Sequence, residues 1–176
     1  MFLNTFIIFV FAVAMFTAAY RDATTMKIPN WASLLVLAGF FLVVPFIWSS
    51  WAEIGSAWHI FGEHILVGLT VFAVGLTVFA FGWLGGGDSK LMAATAFWWQ
   101  WPDLLIYMFY TTMAGAIFAI ILMVGRRYIP DRVLTTPLLS TLFKDGKNMP
   151  YGLALAFGAL ATLPQSTIFK AALGLG

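Results

Sequence analysis

Five stretches of this chain are apolar and long enough to cross a lipid bilayer, and no other feature constrains its fold as strongly. A membrane helix needs roughly 20 apolar residues to cross a hydrocarbon core about 30 Å thick. Leu3–Tyr20, Trp31–Trp48, Ile65–Leu84, Leu104–Val124 and Tyr151 to about Phe169 each come close to that length or reach it. The first resembles a signal peptide at Ala12-Val13-Ala14, but no positively charged region precedes it, so it is read as a helix. Of the 176 residues, 62% are hydrophobic and 9% charged, against about 25% charged in soluble domains. A soluble fold of this size has too much surface to hide such a composition. A soluble enzyme, a nucleic-acid binder and a disordered chain are therefore excluded.

A sixth segment is shorter. Asp88 to Trp101 spans 14 residues before Pro102, roughly 21 Å of helix at 1.5 Å per residue, about 9 Å less than a normal core. Gly85-Gly86-Gly87 before it is a poor helix and a good tight turn. Non-helical backbone at membrane depth is tolerated only where protein or a water-filled cavity surrounds it, so this turn marks a candidate site. The sequence predicts an all-α polytopic bundle of six transmembrane helices. It forms one domain over 1–176, with a short fourth helix opening at a Gly-Gly-Gly-Asp turn.

Basic residues orient the bundle. Arg21 and Lys27 lie in the 21–30 segment and Lys90 in the 85–90 turn. Arg126, Arg127, Arg132, Lys144 and Lys147 lie in the 125–150 loop. Eight of the nine Lys and Arg thus fall on one side, leaving Lys170 on the other. Cytoplasmic loops collect Lys and Arg, so this side is expected to face the cytoplasm, with both termini outside. Trp48, Trp51 and Trp58 around the 49–64 loop, and Trp98, Trp99 and Trp101 around 102–103, fit an interfacial aromatic belt. Within 125–150, Thr136 is placed to cap a short helix beginning at Pro137. Its apolar face is Leu138, Leu139, Leu142 and Phe143, and Gly146 ends it. It is read as lying on the membrane surface.

Acids near membrane depth are costly and are functional candidates. Glu53, Glu63 and Asp103 fall in outer loops by this topology, and Asp131 and Asp145 in the basic loop, where solvated pairing explains them. Asp22 and Asp88 remain. Singly, Asp22 beside Arg21 reads as an interfacial residue and Asp88 as a helix cap. Together, on one membrane face, they form a different object. Two close carboxylates cannot both ionise easily and share a proton. The ionised partner can activate water while the protonated one polarises a peptide carbonyl. That chemistry needs neither Ser, Cys nor metal. Cysteine is absent, which excludes thiolate metal sites and a Cys nucleophile, and His59 and His64, five apart, share no helical face. No metal or cofactor is called for.

These residues resemble a known family. Asp22-Ala23-Thr24-Thr25-Met26-Lys27-Ile28-Pro29-Asn30 is similar to the first motif of the type IV prepilin peptidases, an Asp followed after five residues by Ile-Pro-Asn. Gly85-Gly86-Gly87-Asp88-Ser89-Lys90-Leu91 resembles their second, Gly-x-Gly-Asp-x-Lys-Leu, continued by Ala93-Ala94. Pro150-Tyr151-Gly152 is similar to a looser third pattern. One departure is Ala96-Phe97, where small residues are more usual. The resemblance implies an intramembrane aspartyl protease of the cytoplasmic (inner) membrane. It would remove the short basic leader of a prepilin, on the cytoplasmic side, just before a hydrophobic helix. It implies Asp22 and Asp88 as the catalytic dyad, with Pro29, Asn30, Gly85, Gly87, Lys90, Pro150, Tyr151 and Gly152 as supporting or substrate-binding residues. Larger members carry an N-terminal cytoplasmic region with paired cysteines and also methylate the new N-terminus. This chain's size resembles instead the short branch that serves Flp (tight-adherence) pili, so methyltransferase activity is not expected. Its expected partners are a prepilin substrate and the bilayer, without nucleic acid. A small proton-coupled transporter or channel is the alternative reading, favoured by the broken fourth helix. Against it, no acid lies in mid-span and no repeat is present.

Overall fold

The computed structural model describes residues 2–130, 134–144 and 149–174. Among them every regular element is a helix. Four helices are long: α1 (Phe2–Thr25), α2 (Asn30–Ile54), α3 (Ala57–Ala80) and α5 (Trp101–Tyr128). Between α3 and α5 lies the short α4 (Gly86–Ala96). Then come α6 (Pro137–Lys144), α7 (Tyr151–Thr162), a 3₁₀ turn (Leu163–Gln165) and α8 (Thr167–Leu173). The residues Asp131, Arg132, Asp145, Gly146 and Lys147, to which the sequence reading gave charge or helix-ending roles, lie outside the described residues.

Four of the described helices are long and apolar enough to cross a membrane, and a fifth span results if α7 and α8, bent by 53°, are taken as one. The expected count of six is therefore not reached. Eleven residues of α4 give roughly 16 Å of helix, well short of a bilayer core. The bend in the last span falls at Ser166, just after the 3₁₀ turn that holds Pro164, and Ser166 caps α8 by accepting from the Phe169 N–H at 3.2 Å. The Gly-rich turn also shifts. The chain turns over 81–85, Gly85 is the N-cap, and Gly86 and Gly87 already lie in the first turn of α4.

The outer loops shrink as well. α2 runs on to Ile54 and α3 begins at Ala57, so only Gly55 and Ser56 connect them. Glu53, Glu63 and Asp103 consequently sit on helices rather than in loops. Thr136 does lead into a helix, as its hydroxyl accepts from the Leu139 N–H at 3.3 Å. That helix is pinned rather than free, with Leu142 buried beside Ala23 and Leu122. Thr141 Oγ1 donates to the Thr24 carbonyl at 3.1 Å.

The bundle is apolar on its outside, where Phe9, Phe16, Leu105, Phe109 and Ile120 are all exposed, as a lipid-facing surface should be. Inside, aromatic residues fill the core. Trp51, Trp98 and Trp99 are fully buried, which overturns the belt reading for these three, while Trp58 stays exposed. Trp98 Nε1 donates to the Val36 carbonyl at 2.9 Å, and Trp51 stacks on His64 with ring centroids 5.2 Å apart. Trp98 thus finds both packing and an acceptor, while the indole N–H groups of Trp51 and Trp99 are buried without a hydrogen-bond partner and are held by packing.

Small residues set the contact between α5 and α7. Thr111 and Gly115 on α5 face Ala154 and Gly158 on α7, two small-xxx-small pairs of the kind that bring membrane helices together. A Cβ on Gly158 would lie 2.9 Å from the Thr111 backbone nitrogen. The Phe97 departure has its own complement, because the ring lies over Gly68, where a Cβ would come within 2.5 Å of it. Gly158→Val is expected to destabilise the detergent-solubilised protein by about 1–3 kcal/mol in thermal unfolding. Gly62→Ala, with open space around its position, is expected to leave the melting unchanged or slightly raised.

Candidate active site

Asp22 and Asp88 come from different helices and line one cavity. Asp22 sits in the last turn of α1 and is 6% exposed. Asp88 sits in the first turn of α4 and is half-buried. The cavity is ≈ 610 Å³ and is completed by Met26, Trp83, Leu84, Gly85, Met149 and Tyr151. Four segments converge on it: the end of α1, the turn into α4, the start of α4 and the start of α7.

Each carboxylate is held differently. Asp22 Oδ2 accepts the Gly152 N–H at 2.7 Å, using a free donor of the first turn of α7. Gly152 has no room for a side chain, since a Cβ would stand 2.9 Å from Asp22 Oδ2 and 3.0 Å from Ile28 Cδ1. Asp88 Oδ1 is buried without a hydrogen-bond partner. A buried acceptor left unpaired costs free energy and is free to meet a water or a substrate. Asp88 heads a helix too short to span. Burial, and then the nearby Asp22 charge, raise its carboxyl to about 7, against a hydrogen bond from the Gly85 backbone that lowers it. The charge of Asp22 thus disfavours ionisation of Asp88 beside it.

The Asp-to-Ile-Pro-Asn segment acts as a spacer between the two acids. α1 ends where Met26 turns into the left-handed region at φ 52°, with its N–H on the Asp22 carbonyl at 2.8 Å. That conformation costs a non-glycine residue about 1–2 kcal/mol and is a form of strain that clusters at functional sites. Ile28 then wedges between the two acid-bearing elements. Its Cβ lies 3.1 Å from where a Cβ on Gly87 would be, and its tip reaches Gly152. Pro29 is the extended N-cap of α2, and Pro150, buried, is the N-cap of α7.

The structure therefore gathers Asp22, Asp88, Gly85 and Tyr151 around the cavity, with Gly87, Pro150 and Gly152 directly behind it. It does not bring Asn30 or Lys90 there. Lys90 Nζ donates to Asn30 Oδ1 at 3.2 Å, tying α4 to α2, and both line a different hollow. Residues two apart on a helix do not face the same way, so Lys90 could not share the direction of Asp88. Met26, Ile28, Trp83, Leu84 and Met149 escaped the sequence reading. Only Ile28 and Met26 carried a signal, since both lie inside the first motif.

A model of the type IV leader peptidase family matches residues 9–120 of the chain, which include Asp22 and Asp88. Comparison with curated proteins and with solved structures gives no significant match.

Proposed function

The chain belongs to the type IV leader peptidase family, and on that footing we propose that it is a membrane-embedded aspartyl endopeptidase using Asp22 and Asp88. The observation that carries the reading is their placement: two carboxyls from α1 and α4 line one cavity, and one of them has an unpaired buried oxygen. In this reading Asp88 carries the shared proton and Asp22 is ionised. Asp22 takes a proton from water, whose oxygen attacks the scissile carbonyl carbon. Asp88 donates to the carbonyl oxygen as charge develops there. Collapse of the tetrahedral species passes a proton to the leaving amine. The Gly152 N–H keeps the Asp22 carboxylate in place through the cycle.

The substrate we propose is a prepilin, of Flp type, cut between a short basic leader and a hydrophobic helix. Two features support this. The cavity opens where α1, α4 and α7 have their ends, so a scissile bond could reach it from the aqueous side while the following helix stays in lipid. Arg21, Lys27, Lys90, Arg126 and Arg127 belong to this same end of the bundle and Lys170 to the other, which the positive-inside rule reads as a cytoplasmic active site with both termini outside. We propose no methyltransferase activity.

Co-expression with a Flp-type prepilin, followed by gel shift and mass of the product, tests the proposal. Asp22→Asn and Asp88→Asn are each expected to lower cleavage by roughly 10²–10⁴-fold while the protein still inserts, the range for a lost acid or base. Near-full activity in either variant removes that residue from the dyad. The pH profile is a separate check. The protonated form of Asp88 predominates below about 7 and is lost above it. kcat/KM is thus expected to fall about tenfold per pH unit on the alkaline side, and a profile still rising at pH 8 would contradict the assignment.

A further inference from the structure

We propose that the hollow between α2, α3 and α4 is a binding site for one anionic phospholipid, its phosphate held at Lys90, Asn30 and Ser33. The hollow is ≈ 380 Å³, within the usual range for ligand pockets, and is separate from the cavity of the two aspartates. It is built by two matched helix faces. Asn30, Ser33, Leu34 and Leu37 recur at i, i+3, i+4 and i+7 on α2, and Lys90, Ala93, Ala94 and Phe97 do so from α4 into its C-cap. That spacing puts each set on one face. The Lys90–Asn30 bond joins the opening turns of the two helices, so both faces run inward from the same end. Polar groups gather at that end, and the apolar ones follow along roughly 10 Å of helix, closed on the side by Phe72.

The polar end is an incomplete anion site. Lys90 is exposed and its bond goes to a neutral amide. Among the described residues no carboxylate forms an ion pair with it. Ser33, 8% exposed, carries a buried hydroxyl with no hydrogen-bond partner. Leaving such a group unpaired is costly. A phosphodiester oxygen would accept from the Lys90 ammonium, from the Ser33 hydroxyl and from Asn30 Nδ2, which remains a donor while Oδ1 accepts from Lys90. The apolar length beneath suits an acyl chain and offers a second anionic group no partner. Basic pockets between membrane helices bind lipid headgroups in this manner.

Native mass spectrometry of the purified full chain tests this, with phosphatidylglycerol or phosphatidylcholine of identical acyl chains as the added lipid. The expected result is a preference for phosphatidylglycerol of about fivefold or more in apparent Kd, the weight of one lysine facing an anionic headgroup. Lys90→Gln is expected to abolish the preference and Lys90→Arg to keep it. Leu34→Trp, which crowds the hollow from an exposed position, is expected to weaken both lipids. Arg127→Gln, at the end of α5, should leave the preference unchanged, and thermal melting of the same samples reports folding. Equal binding of the two lipids, or an intact preference in Lys90→Gln, overturns the proposal. So does displacement of phosphatidylglycerol by a hydrophobic peptide bearing a carboxylate, if the peptide's own binding needs Lys90, because the hollow would then be a protein-helix site.

Discussion

The short helix α4 is fixed inside the bundle at both ends, and the position of the second aspartate follows from that. At its start, Ser89 Oγ donates to the Gly75 carbonyl of α3 at 3.1 Å. Just past its end, the Phe97 carbonyl meets His64 Nδ1 at 3.1 Å, and Trp98 Nε1 reaches the Val36 carbonyl of α2. A helix of this length leaves a large share of its backbone groups without helical partners. In a lipid setting those groups must be satisfied by protein. Leu91 and Ala96, both fully buried, show that much of its surface is packed against other helices. Its first turn can therefore lie next to the end of α1, where Asp88 meets Asp22.

The two sides of α4 have separate work. One side carries Asp88 toward α1 and α7, where Gly152 and Ile28 fix the geometry. The other carries Lys90 toward α2, where Asn30 and Ser33 form the polar head of an apolar hollow. Their separation follows from the helix repeat, since i and i+2 project in different directions.

Much of this was legible in the residues. Four of the apolar runs correspond to the long helices, Thr136 led into α6, and the two aspartates stood out as acids on one face without outer-loop or basic-loop explanations. What was not legible has physical causes. When nearly every position is apolar, periodicity no longer separates a lipid-facing side from a buried one. Trp98 and Trp99 thus looked interfacial although they are core residues. Helix ends were drawn short at 49–54 because polar Ser49, Ser50 and Glu53 read as loop, whereas α2 simply continues through them. The fourth segment is not a span because α4 is short and opens on polar Asp88, Ser89 and Lys90, and past Ala96 the backbone passes into tight turns closed by the Trp98 and Trp99 N–H groups. Asn30 and Lys90 were grouped with the dyad by motif proximity, which carries no direction. Trp83 and Met149 lie outside the two aspartate motifs and could be found only in three dimensions.

The central claim is that Asp22 and Asp88 titrate as a coupled pair in one cavity. The most direct measurement is infrared titration of the protonated carboxyl stretch, using Asp88→Asn to identify the band, in the wild type and in Asp22→Asn. In the wild type the band should disappear with a midpoint near 7. Removing the Asp22 charge should lower that midpoint, because a like charge disfavours ionisation of its neighbour. A midpoint for Asp88 that does not move in Asp22→Asn would show that the two carboxyls do not sense each other, and the dyad would not exist as described.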